Sequence, residues 1–331
     1  MISFDSRLQG ETLSLRPSMI KFGGSDATDI EICGAAHRPL PFVLNRQLIK
    51  IMEDLGVKTN VFLDLQAEAI EQLRSTTLSP VNAASFLQRN LVGKTAQVSW
   101  LIRKLDGLGL SFEADAFLRD TVQMAVLVQL REIKHRSRIP VKLAVTLYGI
   151  MDETGYLNEG EIFCVLQTEE EGRSVIVGRN IIITRSPALH PGDIQLVTGV
   201  DVPEESPLNA LHNCVVFSQK GQRDLPSQLS GGDLDGDIYN VIYDPAFLPI
   251  SIQEPADYPR VVQPDVVDRV ERHHMADFFI QFMENDRLGW IAILHQILAD
   301  QKLQGTLDPQ CILLAGKHST AVDFSKTGVP V

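Results

Sequence analysis

At 331 residues and a mass of 36.7 kDa, and at roughly 150 residues per domain, the chain should hold about two domains with a sizeable core. Its 44% hydrophobic and 22% charged residues exclude a disordered, collagenous or repetitive coiled-coil protein. Lys plus Arg number 30 against 42 Asp plus Glu, a formal net charge of -12, so the chain does not hold nucleic acid by bulk positive charge and any such contact must be local.

Residues 1–39 read as strand-and-turn, with short apolar stretches such as Leu13-Ser14-Leu15 ending at Gly23-Gly24 and Arg38-Pro39. From Pro41 to about Arg138 the period becomes helical. Leu44, Leu48, Ile51 and Leu55 recur at three-to-four spacing and stop at Gly56, and Phe117, Val122, Ala125 and Leu130 repeat the pattern. After Pro140, six β-rich runs follow, Val141–Leu147, Ile162–Leu166, Val175–Thr184, Ile194–Val200, Val215–Phe217 and Ile238–Ile242, which predict a compact barrel. Helical periodicity returns after Asp265, most clearly over Met275–Gln301, and Asp308-Pro309 starts a last helix running toward His318. The apolar stripe of Met275–Gln301 predicts packing on a core.

Cys33, Cys164, Cys214 and Cys311 lie far apart, with no Cys-x-x-Cys pair and no His cluster at zinc-ligand spacing. Reduced, buried thiols are expected. The first residues, Met1 to Arg7, lack a charged-then-apolar signal pattern, and no apolar run reaches 18 residues. These features predict an intracellular protein without membrane contact, in nucleus or cytoplasm. The apolar, Pro-containing end Thr327–Val331 suggests one piece of a larger protein.

The stretch with most chemistry is Ser230-Gly231-Gly232-Asp233-Leu234-Asp235-Gly236-Asp237, followed by the β-rich Ile238–Tyr243. Its three closely spaced carboxylates repel one another without a neighbouring cation in sequence, which a divalent cation would relieve. On an extended strand Asp233 and Asp237 would stand about 13 Å apart, too far for one Mg²⁺ with ligands at about 2.1 Å. The backbone must therefore curl, and Gly231, Gly232 and Gly236 permit it. An Asp-rich solvated turn is the bland alternative. An EF-hand loop would need Gly at its sixth position, where Ile238 stands, and flanking helices. A phosphatase-type Asp-x-Asp-Gly-Thr nucleophile would follow a buried strand rather than Gln228–Gly232.

In this β-rich setting the motif resembles the metal signature of polymerases built on double-psi β-barrels. It matches the Ser-Gly-Gly-Asp-x-Asp-Gly-Asp form of the cellular RNA-dependent RNA polymerases of RNA-silencing pathways. The resemblance extends in order through Arg16–Phe22, Leu44–Gln47, Thr184–Asp193, Cys214–Arg223, Asn285–Gly289 and Ala321–Pro330. It implies an α+β fold, a double-psi β-barrel catalytic domain flanked by helical subdomains, as a fragment of a larger two-barrel polymerase. Residues 1–39 would be the tail end of a first barrel, 40–139 a helical subdomain, 140–250 the barrel with the metal motif, and 262–331 a truncated C-terminal helical region.

The resemblance further implies RNA-templated nucleotidyl transfer by a two-metal mechanism, making double-stranded RNA for post-transcriptional gene silencing. Asp233, Asp235 and Asp237 would hold Mg²⁺, with Mn²⁺ as substitute, since hard carboxylate oxygens suit these ions. The expected partners are a single-stranded RNA template, ribonucleoside triphosphates and silencing-pathway proteins. Lys220 and Arg223 are the local candidates to meet the triphosphate. Arg185 is the candidate for the nucleotide sugar, His190 a further substrate contact or a turn residue, and Lys21 a contribution from the facing barrel. Between Ser85 and Arg138 nine Lys and Arg stand against five acids; there Lys134-His135-Arg136-Ser137-Arg138 would meet RNA phosphates or cap a helix. The rival readings are a DNA-templated RNA polymerase subunit, which usually has Asn-Ala where Ser230-Gly231-Gly232 stands, and a non-catalytic RNA-binding or scaffold fragment of the same fold.

Overall fold

A computed structural model describes residues 1–20, 29–168, 172–258, 269–329 and 331. They fall into two compact units, one formed by Phe42–Lys142 with Pro249–Ser251, the other by the remainder.

In the first unit β1 (Leu40–Val43) leads into five helices: α1 (Arg46–Asp54), α2 (Thr59–Leu78), α3 (Pro80–Arg89), α4 (Val98–Gly107) and α5 (Ala116–Arg136). The Asn45 side chain caps α1 by accepting from Leu48 N at 2.9 Å. The apolar stripe Leu48, Ile51 and Met52 is buried, and the chain turns away at Gly56, φ +100°. Asp115 caps α5 in the same way through Leu118 N at 2.9 Å. The other end of α5 carries Lys134, His135 and Arg136 in its last turn. There Arg136 and Arg138 both lie 3.2 Å from Glu132 carboxylate oxygens. The basic run thus sits where the helix dipole favours cations.

The second unit is built on β2 (Pro140–Met151), β3 (Glu161–Thr168), β4 (Gly172–Val175), β5 (Gly178–Arg185), β6 (Ile194–Gly199), β7 (Cys214–Phe217) and β8 (Ile238–Ile242), with the short α6 (Leu225–Gln228) between the last two. Six of these strands close on themselves in the order β2-β7-β3-β6-β5-β8, and β8 pairs back onto β2. The β2–β7 and β3–β6 pairs are parallel and the other four antiparallel, a mixed closed barrel as expected for the double-psi class. Closure depends on the twelve residues of β2: Ala144–Tyr148 pair with β8 and Tyr148–Met151 with β7.

Alternate residues fill the barrel, among them Leu147, Ile162, Cys164, Ile183, Val215, Phe217, Tyr239 and Val241. The opposite faces of β3 and β7 present Phe163, Val165, Cys214 and Val216 to Leu157, Val202, Leu208 and Leu211. Gly149 interrupts the apolar run of β2 because Tyr239 lies against it; a Cβ there would stand 2.4 Å from Tyr239 Cε2.

Beyond the barrel, α7 (Arg272–Asn285), α8 (Leu288–Gln301), α9 (Pro309–Val322) and α10 (Phe324–Thr327) complete this unit. Four expectations are corrected. The Val175–Thr184 run is two strands, because β4 pairs with β3 whereas β5 pairs with β6 and β8. The Met275–Gln301 run is two helices, broken at Asp286-Arg287, where Asp286 Oδ1 accepts from Leu288 N at 3.2 Å. Its buried stripe is Ile291, His295 and Ala299 on α8, and α7 buries none of its residues. Residues 1–20 and 29–39 form no strand among those described, and their one helical element is a 3₁₀ turn at Pro17–Met19; Leu13, Leu15 and Ile20 stay exposed, and an apolar run without a partner strand has nothing to pair with. In that stretch Cys33 is exposed, unlike the other three free thiols. Burial pushes the Cys164 thiol far up and that of Cys214 up to about 12, so both stay protonated and inert. No helix among the described residues is long and apolar enough to cross a membrane.

Candidate active site

The acidic motif forms the turn between α6 and β8. Asp233, Asp235 and Asp237 each bring a carboxylate oxygen into one cluster, all within 4.8 Å of one another. Inside the Asp233–Asp237 span the positive-φ residue is Gly236, φ +145°, and just ahead of the span Ser230 at φ +53° and Gly231 at φ +63° turn the chain into the motif. Two bonds inside the turn hold its shape: Asp233 N donates to Asp237 Oδ2 at 2.9 Å, and Asp235 N to Asp233 Oδ1 at 3.0 Å.

Gly232 has another reason to be glycine. A Cβ there would meet Arg185 Cδ at 2.7 Å, Tyr239 Oη at 2.7 Å and Pro226 O at 3.0 Å. Gly232→Ala is therefore expected to cost about 1–3 kcal/mol through overpacking, read by denaturant unfolding, and to displace Arg185 and Tyr239 from the turn. An unchanged midpoint would show that the turn has slack.

The barrel core reaches the turn through Tyr239, the second residue of β8. Its ring is fully buried and packs edge-on against Phe217 at 4.8 Å between centroids, while its hydroxyl donates to Asp233 O at 2.7 Å. Burial, reinforced by the Asp237 charge, pushes the phenol far above its ordinary range, so it remains a donor. On the other side, Gly149 N donates to Asp237 O at 3.1 Å, tying the turn to β2.

Arg185, at the end of β5, is brought to the triad. Its Nη2 donates to Asp237 Oδ1 at 2.9 Å and its Nε lies 2.8 Å from Oδ2 off hydrogen-bond alignment, an ion pair that meets both oxygens through one hydrogen bond, with side chains 19% and 20% exposed. Nη1 donates to Ser230 O at 3.1 Å. The sequence marks Arg185 as a candidate but not Asp237 as its partner.

The other described candidates, Arg223, Lys220 and His190, bond to neighbouring groups. Arg223 bonds two backbone carbonyls and a hydroxyl, Nη2 donating to Ser227 O at 2.7 Å and Ala256 O at 2.8 Å and Nε to Ser227 Oγ at 3.2 Å. Lys220 is exposed, its Nζ 3.3 Å from Asn158 Oδ1. The His190 side chain accepts from Gly192 N through Nδ1 at 3.0 Å and caps the turn Pro191–Asp193; burial pushes its pKa down, which keeps that nitrogen an acceptor. Lys21 lies outside the described residues.

Sequence reasoning passed over Asp193 and Tyr258. Asp193 is 1% exposed. Burial pushes its carboxyl up to about 6, against hydrogen bonds from Tyr258, His190, Leu189 and Ser230. A carboxyl raised by folding adds stability below its ordinary 3.8 and loses it as the pH rises through about 6. At neutral pH its charge is a net cost to the fold, a common mark of a residue kept for function.

With the geometry in hand, comparison with known proteins places the chain. The family model for RNA dependent RNA polymerase matches residues 1–331. The chain belongs to that family. It is 35% identical over 320 residues to the probable RNA-dependent RNA polymerase 1 of Oryza sativa subsp. japonica, covering 96% of this chain and 42% of the rice protein. It is 36% identical to RNA-dependent RNA polymerase 1 of Arabidopsis thaliana, covering 96% of this chain and 28% of that protein. Among solved structures, the RNA dependent RNA polymerase QDE-1 from Thielavia terrestris superposes with a TM-score of 0.69 at 21% identity, over 94% of this chain and 39% of that one; this likeness speaks to the fold. The chain therefore spans less than half the length of these relatives.

Proposed function

We propose that this chain carries the metal-holding centre for RNA-templated RNA synthesis, extending a strand from ribonucleoside triphosphates to give double-stranded RNA for small-RNA silencing. The observation that carries it is the gathering of Asp233, Asp235 and Asp237 oxygens within 4.8 Å at the foot of β8. An all-oxygen set with three negative charges, exposed at Asp233 and Asp235 and partly buried at Asp237, suits Mg²⁺ or Mn²⁺ and leaves room for substrate oxygens. When bound there, the cation supplies Lewis acidity, lowering the pKa of a strand-end hydroxyl and offsetting charge on the phosphoryl group.

The chain's own residues supply position. Tyr239 and Gly149 fix the backbone of the turn from two sides of the barrel, which keeps the carboxylates aimed before substrate arrives. Arg185, 19% exposed at its side chain, orients Asp237 and is the cation offered to a nucleotide beside the triad. Lys220 is the exposed cation offered to a triphosphate. Arg223 braces the backbone that leads into the turn, and His190 shapes the turn preceding β6. Lys21 would add a second cation.

The test is incorporation of labelled ribonucleotides by this chain with Mg²⁺, on single-stranded RNA and single-stranded DNA of the same sequence. Product that requires the RNA template is the expected result. Product on DNA alone would overturn the reading in favour of a DNA-templated polymerase, and RNA binding without product in favour of a non-catalytic scaffold.

A further inference from the structure

Both oxygens of the buried Asp193 carboxylate are occupied twice. Oδ1 accepts from Ser230 N at 3.1 Å and from the Tyr258 hydroxyl at 2.8 Å. Oδ2 accepts from Leu189 N at 3.1 Å and His190 N at 3.0 Å. None of these four donors carries a full charge. One carboxylate thus joins the 189–193 turn, the entry to the acidic turn, and the segment bearing Tyr258.

Ser230 is the residue this arrangement controls. Every polar group it has is held: N by Asp193, Oγ donating to Pro187 O at 2.6 Å, and O accepting from Arg185. That grip is needed, because a non-glycine residue at φ +53° persists only when its surroundings over-determine it. Ser230 stands three residues before Asp233, so its conformation sets the direction from which the chain enters the triad. Tyr258 covers the next residue, its Cδ2 lying 3.5 Å from the place of a Cβ on Gly231. The Tyr258 segment is itself anchored, since Gln195 Nε2 donates to Gln253 O at 3.1 Å and Arg223 to Ala256 O at 2.8 Å.

We propose that Asp193 is a positioning residue for the carboxylate triad, acting with the partly buried Tyr258 as a pillar that holds Ser230 in its left-handed conformation. The proposal rests on the reading of the triad as a cation site. Asp193 touches neither cation nor substrate and acts through Ser230.

The variants follow from the bonding. In Asp193→Asn the amide nitrogen must face either the Leu189 and His190 N–H pair or the Ser230 N–H and the phenol. Only the phenol can turn to accept, so the amide nitrogen faces Ser230 and that bond is lost. Tyr258→Phe removes one bond and leaves the carboxylate in place.

Mn²⁺ binding to the full chain, followed by the electron paramagnetic resonance signal of the free ion, reads the effect, with circular dichroism checking the fold. The expected result is roughly 10- to 100-fold weaker binding in Asp193→Asn, as for outer groups that orient metal ligands, and a smaller loss in Tyr258→Phe. A folded Asp193→Asn chain that binds Mn²⁺ as tightly as the wild type overturns the proposal. Should Asp193→Asn fail to fold, Tyr258→Phe decides alone: weakened binding supports the pillar and unchanged binding overturns it. If the wild type binds no more Mn²⁺ than Asp235→Ala does, the cation reading itself fails and takes this proposal with it.

Discussion

Asp235→Ala is expected to lower RNA-templated incorporation by more than about a hundredfold, the scale on which loss of a group that stabilises developing charge is felt, without lowering thermal stability in metal-free buffer. The two halves of this result have one cause. Asp235 is exposed and shares a space 4.8 Å across with two other carboxylates, so like-charge repulsion offsets what the other contacts of its side chain contribute to the fold. Its backbone N–H, which donates to Asp233 Oδ1, survives the substitution. A melting temperature that stays level or rises while incorporation collapses marks a residue kept for chemistry. A parallel fall in both would show that the side chain supports the fold.

Arg185→Ala has the opposite signature, with stability and activity lost together. Removing it leaves Asp237 without its ion-pair partner in a site four-fifths buried and frees the Ser230 carbonyl. Breaking one side of such a pair costs about 2–4 kcal/mol, mostly from the charge left behind. Arg185→Lys keeps the charge but not the planar fork, and is expected to recover less than half of the loss. In denaturant unfolding with chelator, the double variant Arg185→Ala with Asp237→Asn should be more stable than the sum of the singles predicts, because it removes the orphaned charge. Strict additivity would show that the pair is solvent-screened and of no structural weight.

Local patterns in the sequence carried the barrel and the triad. Runs of β-rich residues marked the strands because their inner faces fill one core, and Gly56 and Asp308 marked helix ends because caps act within a few residues. The acidic turn was legible because three like charges and three glycines in eight residues have few structural uses. The partner of each polar group was not legible. Asp193 finds Ser230 37 residues on and Tyr258 65 residues on, and Arg185 finds Asp237 52 residues on, distances over which sequence spacing says nothing. The same limit applies to Arg223, a lone cation by sequence that closure of the chain places against two backbone carbonyls. The split of Val175–Thr184 into β4 and β5 likewise depends on which strands lie beside each half.

The most direct test is the anomalous scattering of Mn²⁺ soaked into crystals of this chain. The account predicts a peak coordinated by oxygens of Asp233, Asp235 and Asp237 together, absent from crystals of Asp235→Ala. Well-ordered carboxylates with no peak among them, or a peak that persists in Asp235→Ala, would contradict it.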